Sequence, residues 1–77
     1  MTDFLKEKIE HAKGKAVEAV SQYKNDVLFA SFRVKTEIDH RNYIGLPHVQ
    51  ESEIYDEMKE ELAYLDELIK KIREIDL

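Results

Sequence analysis

The chain has 77 residues, enough for one small domain, and its 12 Lys and Arg against 17 Asp and Glu give a formal charge of −5. It contains no cysteine, which excludes disulfides, thiol nucleophiles and cysteine-ligated metals. Its two glycines, Gly14 and Gly45, lie too far apart to form a glycine-rich phosphate loop. We therefore expect a single helical domain over residues 1–77 that is not an enzyme and carries no cofactor.

The first part of the chain has apolar side chains at helical spacing, three or four positions apart. This spacing predicts a long helical region, with Asn25 and Asp26 as the best place for a break, because Asn can end one helix and Asp can cap the next. Residues 32–39 also alternate as a half-buried strand does, but no second strand of similar quality exists to pair with them, so a helix is favoured. The apolar stripe comprises Leu5, Ile9, Ala12, Ala16, Val20, Tyr23, Val27, Ala30, Val34 and Ile38.

A loop is predicted over residues 42–51, where Asn, Gly and Pro fall close together. Ser52 is the expected N-cap of a second, amphipathic helix over residues 52–75. Apolar residues in this helix alternate at spacings of three and four, which is typical of a coiled-coil seam. The seam comprises Tyr55, Met58, Leu62, Leu65, Ile69 and Ile72.

The two helical regions differ in length. A helix from Asp3 to Arg41 would be about 58 Å long and one from Ser52 to Ile75 about 36 Å, so a hairpin of the two leaves about 20 Å of apolar stripe uncovered. Either the first region breaks near Asn25 and folds back, or another chain covers the excess. The sequence therefore predicts an all-α fold, a helical hairpin or a three-helix arrangement, which assembles into an oligomeric bundle.

Self-association is expected from the distribution of apolar residues. Leu28, Phe29 and Phe32 belong to a run that is apolar nearly all round, which a single neighbouring helix cannot bury. A domain this small without disulfides often gains the missing burial by oligomerisation. We expect a homo-oligomer, with a dimer as its simplest form, whose core is the Tyr55–Ile72 seam. Leu28, Phe29 and Phe32 would supply further oligomer contacts or a surface for another protein.

A basic and aromatic cluster, Arg33, Lys35, Arg41 and Tyr43, lies near the end of the first helical region. Between subunits it would suit a nucleotide or another anionic small molecule. Residues 1–42 hold eight bases and seven acids, a net charge of +1, whereas residues 43–77 hold four and ten, a net charge of −6. Pairing of the cluster with the acidic second helix is therefore the simpler explanation, and the acidic total argues against nucleic acid as a partner.

Glu37 and His40 stand three residues apart, a spacing found in carboxylate-bridged di-metal bundles. Only one copy of the pair is present, and it lies in the last helical turn, where histidine commonly interacts with the carboxyl end of the helix. We therefore expect no metal site and keep a di-metal-binding bundle as an alternative.

The N-terminal segment contains alanines and acids among its lysines, and this composition favours helix packing over membrane binding.

Taken together, these patterns favour a small non-enzymatic helical protein that self-associates and acts through protein–protein contact, as a regulator, inhibitor or adaptor. The alternatives are an oligomeric binder of a nucleotide or other small anion and the di-metal bundle. We expect a cytoplasmic location, since no stretch approaches the roughly 20 apolar residues of a membrane-spanning helix and the N-terminus lacks the apolar region of a signal peptide.

Overall fold

The computed structural model describes residues 2–75, and within them the chain forms two α-helices and no strand. Helix α1 spans Asp3–Ile44 and helix α2 spans Val49–Glu74. They pack antiparallel as a hairpin measuring 64 × 14 × 11 Å. The predicted all-α class is confirmed, and the segment that alternates like a strand is helical.

Helix α1 begins and ends with local capping interactions that its sequence specifies. The Thr2 hydroxyl accepts a hydrogen bond from the Leu5 N–H at 3.3 Å. At the other end, Gly45 adopts a φ of 78°, and the Leu46 N–H donates to the Arg41 carbonyl at 2.8 Å. This is a Schellman ending, which needs a left-handed residue that glycine supplies without steric cost. Pro47 follows and prevents the helix from continuing.

The predicted break near Asn25 is wrong, because α1 runs through Asn25 and Asp26 without interruption. Both side chains are exposed, so they can be solvated while the backbone keeps its helical hydrogen bonds. The two-helix hairpin, and not a fold-back at Asn25, is therefore the arrangement of the described chain.

The predicted loop over residues 42–51 is also too long. Residues 45–48 connect the helices, because the only strong helix-ending signals are Gly45 and Pro47. His48, and not Ser52, occupies the N-cap position of α2, without a capping hydrogen bond from its side chain. Ser52 lies inside the first turn, where its N–H donates to the His48 carbonyl at 3.0 Å.

A heptad seam holds the two helices together. Its most buried apolar side chains are Val27, Leu65 and Ile69, with 8%, 6% and 9% of their surface exposed. Ser31 is buried among them, and its hydroxyl donates to the Leu28 carbonyl at 2.6 Å, so the polar group is satisfied within its own helix. All six residues of the predicted α2 seam are buried or half-buried, which places them against α1 of the same chain: Tyr55, Met58, Leu62, Leu65, Ile69 and Ile72.

Polar contacts at both ends show the register of the hairpin. The Lys13 ammonium donates to the Arg73 and Ile75 carbonyls at 3.2 and 2.6 Å, where it neutralises the negative end of the α2 dipole. Arg41 lies 3.4 Å from the Glu51 carboxylate at the other end. Residues 3–12 therefore extend about 15 Å beyond α2. We call this segment the overhang, and it corresponds to the uncovered length that the sequence predicts.

The seam yields a first prediction, for Leu65→Ala. Removing this buried side chain should lower the free energy of unfolding by about 2–5 kcal/mol, through lost burial and the cavity left behind. Glu67→Ala, on the exposed side of the same helix, should change it by no more than about 0.5 kcal/mol. Urea unfolding followed by circular dichroism measures both, and equal effects of the two substitutions would contradict the seam.

The two glycines yield a second prediction with opposite signs. Gly45→Ala places a side chain on a left-handed residue and should cost about 1–2 kcal/mol. Gly14→Ala lies in a helix interior, where the added Cβ meets nothing within 4 Å, and should stabilise the chain by about 0.5–1 kcal/mol. Thermal melts of both variants test this, and a stabilising Gly45→Ala would refute the helix ending described above.

Candidate interaction surfaces

An aromatic patch lies on the side of α1 away from α2. Phe29 and Phe32 are 62% and 55% exposed, and their rings meet edge to face with centroids 6.4 Å apart. Leu28 is half-buried beside them. Leu28 and Phe29 each lie about one turn from Phe32, so the helix brings both next to that ring. The three residues are named here the Phe29 patch. The patch is an apolar surface that α2 leaves open.

A second apolar surface runs along one flank of the hairpin, where a row on α1 lies beside a row on α2. The Tyr23 hydroxyl donates a hydrogen bond to the Glu61 carboxylate, which joins the two rows. Members of each row are seven residues apart, so they share a face of their helix. The α1 row is Ile9, Ala16, Tyr23 and Ala30, and the α2 row is Ile54, Glu61 and Leu68, with Ile75 seven residues further on, just past the end of the helix.

Further apolar side chains border these rows one helical turn away. They are Leu5, Ala12 and Ala19 on α1 and Tyr64 on α2, and all four are exposed. The two rows and these neighbours are named here the Tyr23 face. Much of the predicted α1 stripe lies on this face and not in the seam, because α2 covers only one side of the stripe.

The opposite flank of the hairpin is polar. Its α1 row carries one large apolar side chain, Leu28. Its α2 row carries none, and Lys24 forms an ion pair with Asp66 along it. The rows are Gly14, Ser21, Leu28 and Lys35 on α1, and Ser52, Lys59, Asp66 and Arg73 on α2. The two flanks of one hairpin therefore differ in character.

The predicted anion-binding residues are not brought together within one chain. At about 100° per residue, Arg33, Lys35, Arg41 and Tyr43 point in four directions around α1. Arg41 contacts the Glu37 carboxylate at 2.8 Å and the Pro47 carbonyl at 3.3 Å, and Lys35 pairs with Asp39 at 3.2 Å. Tyr43 is 89% exposed. Two of the three bases are thus paired with carboxylates of the same chain, and Arg41 with one on α2 as well.

The metal alternative rests on Glu37 and His40. The Glu37 carboxylate accepts a hydrogen bond from Arg41, so it already has a partner within its own helix. Within residues 2–75 no three histidine or acidic side chains converge in the way a metal ion requires. A di-metal site would therefore need ligands from a further copy of the chain.

The contact between Tyr23 and Glu61 changes the pKa of the tyrosine. The hydrogen bond it donates to Glu61 raises the pKa of Tyr23 above its ordinary value of 10.0, and the negative charge of that carboxylate and burial raise it further. The phenol form is therefore the one that the hairpin stabilises. Since the folded pKa exceeds the unfolded one, this stabilisation is complete below pH 10 and is lost as the pH rises through the folded pKa.

This shift gives a third prediction, tested by ultraviolet titration of tyrosinate. The wild-type curve should contain a component above the ordinary tyrosine range, which Tyr23→Phe removes. Glu61→Gln, which removes the charge and keeps a hydrogen-bond acceptor, should move that component down toward 10.0. An unchanged curve for Glu61→Gln would show that the contact between the two rows is absent in solution.

Comparison of the chain with protein-family models, with curated proteins and with solved structures gives no match. Neither helix, over the described residues, has a stretch long and apolar enough to cross a membrane.

Proposed function

We propose that this chain is a non-enzymatic, self-associating helical protein that acts in the cytoplasm through contact with another protein, as a regulator, inhibitor or adaptor. The observation that carries the proposal is the amount of surface that the hairpin leaves uncovered. Its accessible surface is 6180 Å² for a chain of 9.1 kDa. A compact folded monomer of that mass would expose about 4900 Å².

The shape and the core support the same conclusion. The radius of gyration is 18.3 Å, against about 11.5 Å for a compact domain of this length. No large side chain among residues 2–75 is completely buried, because two helices alone cannot enclose one. A small domain with so thin a core gains stability when other chains cover its apolar faces.

The Phe29 patch is the surface proposed to contact the other protein. Its two rings project from the back of α1, where they contribute nothing to the seam. Exposed phenylalanines that meet edge to face form a rigid apolar anchor of the kind found at the centre of protein interfaces. The sequence predicts the Tyr55–Ile72 seam as the core of the oligomer. On this proposal the seam instead stabilises the hairpin, and the hairpin is the unit that associates.

The fourth prediction tests self-association and partner binding separately. Sedimentation equilibrium of the wild type should give a mass above 9.1 kDa, and its melting temperature should rise with protein concentration. Phe29→Ser with Phe32→Ser should keep both properties and lose the protein captured by the wild type from a host lysate. The matched control is Gln22→Ser with Thr36→Ser, on the same outer side of α1, which should retain that protein.

Each part of the proposal can fail independently. A mass of 9.1 kDa at every concentration, with a melting temperature that does not change, refutes self-association. Capture of the same proteins by the phenylalanine variant and the wild type refutes the Phe29 patch as the partner surface. Loss of the oligomer in the phenylalanine variant assigns the patch to self-association instead.

A further inference from the structure

We infer that the Tyr23 face is the contact between two copies of this chain, and that the two hairpins pack on it antiparallel. This inference rests on the self-association proposed above and adds the face, the partner and the orientation. The occupant is a second copy of the chain, which presents the same face in return, as the twofold symmetry of a dimer requires.

The difference between the flanks selects the face. A two-helix rod that stayed alone in water would carry polar residues on both flanks, as it does along the Ser21 and Lys59 flank. The Tyr23 face instead exposes Leu5, Tyr64 and Ile75, each at least 47% open to solvent. Alanines between these larger side chains leave room for a neighbouring helix to approach closely. The face is also continuous with the seam, since the α1 stripe passes from one to the other.

The overhang selects the orientation. Leu5, Ile9 and Ala12 carry the Tyr23 face past the end of α2. If the two hairpins were parallel, both overhangs would leave the bundle at the same end, with no α2 beside either of them. If they are antiparallel, each overhang lies beside the loop end of the other copy, where both of its helices are present. Antiparallel packing is therefore the arrangement that covers this stripe.

The charges favour the same orientation. Residues 3–16 hold four lysines and three acids, a net charge of +1. Residues 49–61, at the loop end, hold six acids and one lysine, a net charge of −5. Antiparallel hairpins place these two segments at the same end of the bundle, where their opposite charges attract, whereas parallel hairpins bring the acidic loop ends together.

The hairpin as a whole exposes enough surface for a dimer interface of ordinary size. The hairpin exposes 6180 Å². That is about 1300 Å² more than a compact chain of its mass, and a typical stable interface removes about 800 Å² from each partner. The Phe29 patch lies on the other side of α1, so it remains free for another protein in this dimer.

The first test introduces a charge on the Tyr23 face. In solution the wild type should have twice the 9.1 kDa chain mass. Ala16→Glu should reduce the mass to that of one chain, because a carboxylate is buried against the second copy without a partner. Gln22→Glu adds the same charge on the outer side of α1 and should remain a dimer. Both positions are exposed in the hairpin, so circular dichroism should show equal helicity for the two variants.

The second test reads the orientation through cysteines added to a chain that has none. Leu5→Cys and Ile44→Cys lie at opposite ends of α1, roughly 58 Å apart along the helix. In an antiparallel dimer, a mixture of the two variants should be joined by a short bismaleimide, and Leu5→Cys alone should not. Self-joining of Leu5→Cys without the mixed product would establish parallel hairpins and overturn the inference.

The outcomes separate this inference from the proposal on which it rests. A single-chain mass for the wild type defeats both. A wild-type dimer that Ala16→Glu leaves intact preserves self-association and refutes the Tyr23 face as its contact. A dimer that both Ala16→Glu and Gln22→Glu dissociate also refutes it, because the effect would then follow from charge alone.

Discussion

The heptad seam between two helices of unequal length is the interaction on which the rest of this structure depends. Helix α2 contributes an almost wholly apolar side, centred on Leu65 and Ile69. Helix α1 opposes it with Val27 and with polar residues at the same heptad positions, among them Lys13, Lys24 and Arg41. An apolar seam alone would tolerate sliding by one heptad, and the polar positions of α1 oppose such sliding, because each has a partner at one level only.

Those polar positions act at three levels of the hairpin. Lys13 binds the last carbonyls of α2, Lys24 pairs with Asp66, and Arg41 joins Glu51 to the turn. Each contact is partly exposed and therefore contributes little to the free energy of unfolding by itself. Their value is in setting the register, which determines how far α1 extends past α2. The overhang, and with it the uncovered stripe, follows from this register.

A seam of two helices also explains why surfaces, and not a pocket, are the functional candidates. Each helix can bury only one side against the other, so every other side stays in contact with water. On most of the hairpin these sides are charged. Among the apolar exceptions, the Tyr23 face and the Phe29 patch occupy different sides of α1. This separation supports the proposal that one surface contacts a second copy of the chain and the other a different protein.

The helices, the apolar seam of α2 and the mismatch in length follow from the sequence alone, because helical periodicity and the Gly45–Pro47 ending are local properties. The sequence also identifies Phe29 and Phe32 as residues that one neighbour cannot bury. Local signals misplace the break at Asn25, since exposed Asn and Asp are tolerated within a long helix whose other side is packed. They also misplace the cap at Ser52, because α2 begins directly after Pro47 and His48. Only the tertiary structure shows that Ser31 is buried, that Arg41 is held by two carboxylates, and that the α1 stripe divides between the seam and the Tyr23 face. The reason is that the α1 stripe is wider than the surface that one helix can cover. Which part of it lies in the seam and which part stays exposed therefore depends on where the second helix packs.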